Sequence, residues 1–348
     1  MKNFQPSYYQ TFQCWAGACP DTCCAAWDIV IDDQSAAFYN AVPGELGERI
    51  RAAMTTDADG DLCFAVSGGH CPLLTGERLC IIQLELGEER VCDTCRSHPR
   101  FTEEYGWFKE HALAASCPGA VELILEQDFA VTESEDGEEP FVCDDVDEGL
   151  LRALLPCREA AFALLNREEL PWRSRLAGLL LLGSELQLAL AADDLEELAA
   201  LGEEWKTVAA ERLLFPPRNP EAPAGRILVE LLGELEVLDE RWPQDIAALP
   251  DREEPVCVNE TWERRWACYL IWRWFLRADF DLDIYGKLAL PVLSILTLRQ
   301  LSRGGEDWKE WARRWAKEVE HCDENRSALY DAACLNGDLA PDKLIEAL

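Results

Sequence analysis

Four thiols fall within eleven residues, Cys14, Cys19, Cys23 and Cys24, spaced C-x4-C-x3-C-C in FQCWAGACPDTCCAAW. Side chains this close in sequence cannot scatter through an ordinary core, and gathered thiolates are soft donors for Zn2+ or an iron-sulfur cluster. Cys63, Cys71, Cys80, Cys92, Cys95 and Cys117 follow, so ten of the sixteen cysteines lie in the first third of the chain. Cys92-x2-Cys95 has the spacing of a zinc-binding pair, whereas the adjacent Cys23 and Cys24 cannot easily both bind one small ion. A polynuclear cluster, or two separate centres, accommodates adjacent thiols better, and spacing by itself leaves zinc and iron-sulfur equally open. The plain alternative, free cysteines in a reducing compartment, fits poorly with such density. His70 beside Cys71 and His98 near Cys95 have the position to replace a thiolate, but a lone histidine there more often only hydrogen-bonds. Cys143, Cys157, Cys257, Cys268, Cys322 and Cys334 stand at no ligand spacing and are expected to be small buried hydrophobes.

The elements that must position the first set of thiols are short. Residues 1–13 are polar and aromatic and read as an extended lead-in over the cysteines. AAWDIVID reads as a short strand, with Asp32 or Asp33 capping a helix from about Gln34; Pro43-Gly44 interrupts it and ELGERIRAAM forms another. Residues 55–76 are rich in turns, and the stretch to Leu125 is punctuated by Gly and Pro, in the manner of small metal-stapled modules. The acidic run ESEDGEE at 133–139 reads as a solvated loop. Beyond it the pattern becomes helical, over 146–165, 173–192, 194–213, 223–241, 260–277, 284–302, 306–320 and 325–335, with apolar residues three and four apart. The predicted fold is mainly α: a cysteine-rich metal-binding N-terminal module with few short strands at 1–130, an acidic linker at 131–145 and an α-helical domain at 146–348. Seven tryptophans, Trp262, Trp266, Trp272, Trp274, Trp308, Trp311 and Trp315, sit in two of these helices at helical spacing, which predicts core packing.

Composition narrows the function. With 66 acidic against 32 basic side chains the formal charge is -34, so no surplus of Lys and Arg exists to replace phosphate counterions and nucleic-acid binding is not expected. Solubility is the simplest use of such acidity; a basic protein partner is the other. The apolar runs at 176–182 and 288–298 fall short of a membrane span. MKNFQPSYYQTFQCW has no apolar h-region or small-residue cleavage site, so a cytoplasmic protein with no membrane partner is expected. No G-x-G-x-x-G, G-x4-G-K-[ST], G-x-S-x-G or H-E-x-x-H occurs, and the C-x3-C-x2-C triplet fails because position 26 is Ala26.

FQCWAGACPDTCCAAWDIVID, CPLL, RLCIIQLELGEERVCDTCRSHPRF and KEHALAASCPGAVELIL together resemble the flagellin lysine-N-methylases, a bacterial branch of the CxxCxxCC proteins described as zinc- or iron-chelating. The likeness covers residues 10–126 and extends loosely to YLIWRWFLRADFDLDIYGKLALPVLSIL. It implies methyl transfer from S-adenosylmethionine to lysine ε-amino groups of flagellin, with an iron-sulfur cluster of the 4Fe-4S type and zinc as the alternative. On the family motifs the metal cysteines are Cys14, Cys19, Cys23, Cys24, Cys71, Cys80, Cys95 and Cys117; Cys63 and Cys92 fall outside the pattern. Eight thiols exceed the four that one cluster takes. The family usually has Tyr where His98 precedes Pro99-Arg100, and it offers no motif for the methyl-donor site.

For catalysis, Glu110 matches an acidic position ahead of the Ser-Cys-Pro motif, where a carboxylate can orient a lysine ammonium or take its proton. Arg100 is a candidate for a carboxylate-bearing ligand. Each has an ordinary structural use as well. The reading from a different class is a non-enzymatic zinc- or iron-binding protein whose helical domain mediates a protein interaction; only the methylase reading predicts donor binding and a methylated product. An electron-transfer or iron-handling protein is the third possibility.

Overall fold

The computed structural model describes the chain except residues 26–28, 58–59, 67–68, 249–258 and 303–305. Cys257 lies outside the described residues, as does the start of the strand expected at AAWDIVID. The fold is mainly α, with short strands confined to the N-terminal region.

The extended lead-in contains strand β1 (Lys2–Pro6). A small lobe follows: β2 (Ile29–Val30), α1 (Asp33–Ala41), α2 (Gly44–Ala53), β3 (Met54–Thr56), β4 (Leu62–Phe64), α3 (Ile81–Leu86) and α4 (Asp93–Ser97). Asp32 caps α1 by accepting from the Ser35 amide at 2.8 Å, and it also accepts from the Asp93 amide at 2.9 Å, so one carboxylate ties the starts of α1 and α4. Strands β2, β4 and β3 pair in that order, antiparallel, and roof a core of Ile29, Tyr39, Ile50, Phe64, Leu73 and Ile82.

Next, β5 (Arg100–Glu104) and β6 (Phe108–Leu113) form a hairpin, α5 runs Pro118–Glu126 and β7 Val131–Glu135. Their sheet is ordered β5-β6-β1-β7, with β1 parallel to β6 and antiparallel to β7. Strand β7 therefore occupies part of the segment 131–145; its five side chains are all exposed. This sheet and α5 bury Tyr8, Phe12, Phe108, Leu113 and Ile124 in the same core as the helices that follow.

Those helices are α6 (Glu148–Leu165), α7 (Trp172–Ala191), α8 (Leu195–Trp205), α9 (Ala224–Glu234), α10 (Trp242–Ala247), α11 (Glu260–Trp274), α12 (Ala278–Asp281), α13 (Ile284–Leu301), α14 (Glu306–Glu320), α15 (Asp323–Leu335) and α16 (Pro341–Ala347). Helix α13 carries apolar residues all round because it is the central one, packed against α7, α9, α11, α14 and α15. Helix α7 is long and apolar enough to cross a membrane by length and composition, and it too sits in this core, with Leu176, Leu179, Leu180 and Leu182 fully buried. The tryptophans pack as their spacing predicts: Trp266 meets Trp308 and Trp315 edge to face, with ring centres 6.1 and 6.0 Å apart.

Two expected helices end early. The one drawn through 213 stops at Trp205. That drawn to 241 stops at Glu234, because the next amides find side chains instead: Glu236 donates to Asn325, and Leu238 and Asp239 donate to Glu318. Of the cysteines expected to be buried, Cys157, Cys268 and Cys322 are, Cys143 is half-buried and Cys334 is exposed.

Candidate metal centre

The small lobe and the body meet along the cysteines. Three of the thiols stand at the residue that starts a helix: Cys80 before α3, Cys92 before α4 and Cys117 before α5. Unpaired amides at a helix start favour a thiolate. At Cys117 the Ala120 and Gly119 amides act this way, but burial is the larger effect and pushes the thiol up. Burial likewise raises Cys80 against the amides of Gln83 and Ile82, and holds Cys71 at about 11.

Two sets emerge. Phe12 and Trp15 lie against Gly119, leaving 3.2 and 3.5 Å to where a β-carbon would stand, which brings the Cys14 segment onto the start of α5 beside Cys117. Cys14, Cys19, Cys23 and Cys117 are close enough to act on one another electrostatically. Across the seam, the Cys71 amide donates to the Cys24 carbonyl at 2.7 Å, and Leu74 bridges to Cys80. There Cys24, Cys71, Cys80, Cys92 and Cys95 are mutual neighbours. Beside the Cys23 thiol, Cys24 comes down to about 7, and beside the Cys95 thiol, Cys92 is lowered.

All eight cysteines expected from the sequence thus belong to this region, and Cys92, which falls outside the motif pattern, joins them. Its spacing to Cys95 was the available signal. Cys63 is buried in β4, on the strand between β2 and β3.

The loop between Cys19 and Cys23, and helix α5, are held by cations from a distant helix. Lys309, Arg313 and Lys317 recur every fourth residue on α14 and are buried. Lys309 pairs with Glu122 and Glu126 of α5, while Arg313 and Lys317 reach Asp21, between Cys19 and Cys23. Burial pushes the Asp21 carboxyl up, but Arg313 and Lys317 outweigh it and hold it below the usual range. The four-residue repeat of Lys and Arg is legible in the sequence; its partner, about 290 positions earlier, is not. At the end of α14, His321 Nε2 lies 2.7 Å from Ser116 Oγ, beside Cys117. Burial and neighbouring cations drop His98 to about 4 and His321 to about 3, so both are neutral imidazoles at neutral pH. His111 serves the sheet, paired with Thr102 and Asn3.

The two catalytic candidates have structural partners. Both Glu110 oxygens accept from Arg158, at 2.7 and 2.6 Å, and that guanidinium lies 4.6 Å from the Trp272 ring. This buried clamp joins β6 to α6, so service as a proton acceptor would require the pair to open. Arg100 donates to the Phe12 carbonyl at 3.3 Å and lies over the Phe12 ring, bracing the segment before Cys14. A cleft of about 160 Å³, at the turn between α12 and α13, is lined by Trp274, Arg277, Lys287, Asp323, Arg326 and Tyr330. It is joined to the cysteine region by hydrogen bonds: Trp274 and Tyr269 donate to Glu320, and Tyr269 accepts from the Ala115 amide, two residues before Cys117.

The residues present suit a thiolate-held group. Among the described residues, the one set of three Cys, His, Asp or Glu ligand atoms within 4.8 Å of one another is Glu236, Cys322 and Glu324. The gathered thiols are thus spaced more widely than the ~3.8 Å edge of a single tetrahedral zinc site with Zn–S bonds of about 2.3 Å. A polynuclear cluster binds each thiolate through its own iron and needs no such close approach.

The likeness is to lysine-N-methylases. The chain is 29% identical over 143 residues to the Lysine-N-methylase of Salmonella choleraesuis and 28% identical over 143 residues to that of Salmonella typhimurium; each match covers 38% of this chain. The matching segment spans 34% of those two relatives, about a third of their length. It is also 27% identical over 143 residues to the Flagellar biosynthetic protein FliU of Salmonella muenchen, covering 81% of that protein. No family model and no solved structure matches.

Proposed function

We propose that this chain transfers methyl groups from S-adenosylmethionine to lysine ε-amino groups of flagellin, with an iron-sulfur cluster held by the motif cysteines. The observation that carries the reading is the convergence of cysteines distant in sequence, Cys14 to Cys117, in a chain similar to lysine-N-methylases. In the transfer, the lysine nitrogen lone pair forms a bond to the methyl carbon as the carbon–sulfur bond breaks. The electron pair goes to sulfur, S-adenosylhomocysteine leaves, and the nitrogen gives up its proton before attack. A bound cluster would supply iron as a Lewis acid or one-electron centre beside the donor.

The chain's own residues do the positioning. Asp21, clamped by Arg313 and Lys317, fixes the loop from Cys19 to Cys23 on α14. Neutral His321, bonded to Ser116, steadies the approach to Cys117 without adding positive charge against an incoming lysine. The charge of -34 draws lysine-bearing segments towards the surface. We place the activity in the cytoplasm, where reducing conditions keep thiols available to metal.

The test is direct. Anaerobically purified chain is incubated with isotope-labelled S-adenosylmethionine and flagellin, and flagellin peptides are read by mass spectrometry. Label on lysine nitrogen is the expected result; unlabelled lysines in the presence of loaded protein would refute the proposal in favour of a non-enzymatic metal-binding protein.

A further inference from the structure

We infer that the gathered cysteines hold two separate metal centres: an open one from Cys14, Cys19, Cys23 and Cys117 on the helical body, and a closed one from Cys24, Cys71, Cys80 and Cys95, flanked by Cys92, in the small lobe. The inference rests on the metal-binding part of the reading above and extends it to the number and use of the centres.

Three observations carry it. The first is the division of the scaffold. Cys117 opens α5, whose side chains belong to the main core, and the Cys14 segment reaches it through Phe12 and Trp15. Cys71 and Cys92 are instead part of the lobe core, with Cys24, Cys80 and Cys95 packed against it. The seam between the sets is one peptide bond, between Cys23 and Cys24. Cys24 packs against the lobe core and Cys23 does not, so the boundary between the sets falls within this vicinal pair.

The second is stoichiometry. One four-iron cluster takes four thiolates. Each set supplies that number, and neither needs a sulfur from the other.

The third is exposure. Cys14 and Cys23 are exposed and Cys19 and Cys117 half-buried, whereas no thiol of the lobe set is exposed: Cys71 and Cys92 are buried and Cys24, Cys80 and Cys95 half-buried. Structural metal sites are closed, and reactive ones keep a face open. The lobe centre therefore staples a core too small to stand unaided, and the body-side centre, braced through Asp21 by α14, is the one a donor and a lysine can reach.

The experiment measures iron, zinc and sulfide per chain in anaerobically purified full-length protein. Wild type is compared with two doubles, Cys14→Ser with Cys19→Ser and Cys80→Ser with Cys95→Ser. Each double is expected to lose its own share, the two losses summing to the wild-type content. The lobe double is further expected to lose amide-exchange protection across residues 29–95, and the body-side double to keep it. Since the body-side double leaves every lobe thiol intact, its residual metal tests the inference even when the lobe double fails to fold. Complete loss of metal in the body-side double, or a wild type holding a single centre's worth, would overturn the inference while leaving the cluster reading in place. Metal-free wild type would overturn both.

Discussion

The small lobe and the helical body are built by opposite means. The body encloses Trp266, Trp308, Trp315, Phe275 and every apolar side chain of α13, and it pairs Glu110 with Arg158 and Glu263 with Arg299 in its interior. Glu263, fully buried, accepts twice from Arg299 and once from the Trp172 indole. The lobe has a handful of apolar side chains around Tyr39, Ile50, Phe64 and Ile82, and much of its remaining interior is sulfur. A core of that size yields little net stability after chain entropy is met, so on the proposal above the lobe would depend on the group its thiols hold. The body does not.

Metal removal should separate the two most sharply. Under anaerobic chelation, amides of residues 29–95 are expected to lose essentially all protection against hydrogen exchange, while those of α6, α7, α11 and α13 keep theirs. Uniform loss across both regions would abolish the distinction. A smaller but still large effect is expected in the body: Glu263→Ala removes the fully buried carboxylate that accepts twice from Arg299 and should cost about 3–5 kcal/mol in urea unfolding, with metal content unchanged.

Acidity offers a third contrast. Burial beside Tyr269 and Trp274 pushes Glu320 up to about 7, above its ordinary 4.5. Between those values the folded chain keeps a proton that the unfolded chain has lost. The contribution of this group is therefore fully present below about pH 4.5 and declines as pH rises towards 7. Glu320→Gln is expected to match wild type in melting temperature at pH 4.5 and to exceed it at pH 8; an equal shift at both would show that the carboxyl acts by packing alone. The smallest effect expected is local. Asp32→Ala removes the acceptor shared by the starts of α1 and α4 and should take about 1 kcal/mol from the lobe, visible in its exchange rates and not in those of the body.

The sequence was most legible where structure is local. Three- and four-residue apolar spacing located α6, α7, α11, α13 and α14 to within a few residues, and a mainly α fold followed. It was least legible where partners are distant. Nothing near Leu238 announces that Glu318 will take its amide and end the helix, and nothing near Asp21 announces α14. The extended character of residues 1–13 was readable but the pairing of β1 was not, since its neighbours β6 and β7 lie more than a hundred residues away. The thiols were visible as a class from their density. How they divide was not, because that depends on which core each short element joins. Glu110 illustrates the converse: its place in a motif is evident in the chain, and the Arg158 that occupies it is not.

The most direct measurement is metal and sulfide analysis of anaerobically purified chain, with an absorption spectrum taken before and after S-adenosylmethionine is added. The account predicts iron and sulfide in equal amounts, at least about four of each per chain, and a broad visible absorption that the donor perturbs. Zinc as the sole metal, with no colour and no response to the donor, would contradict it and leave a structural metal-binding protein.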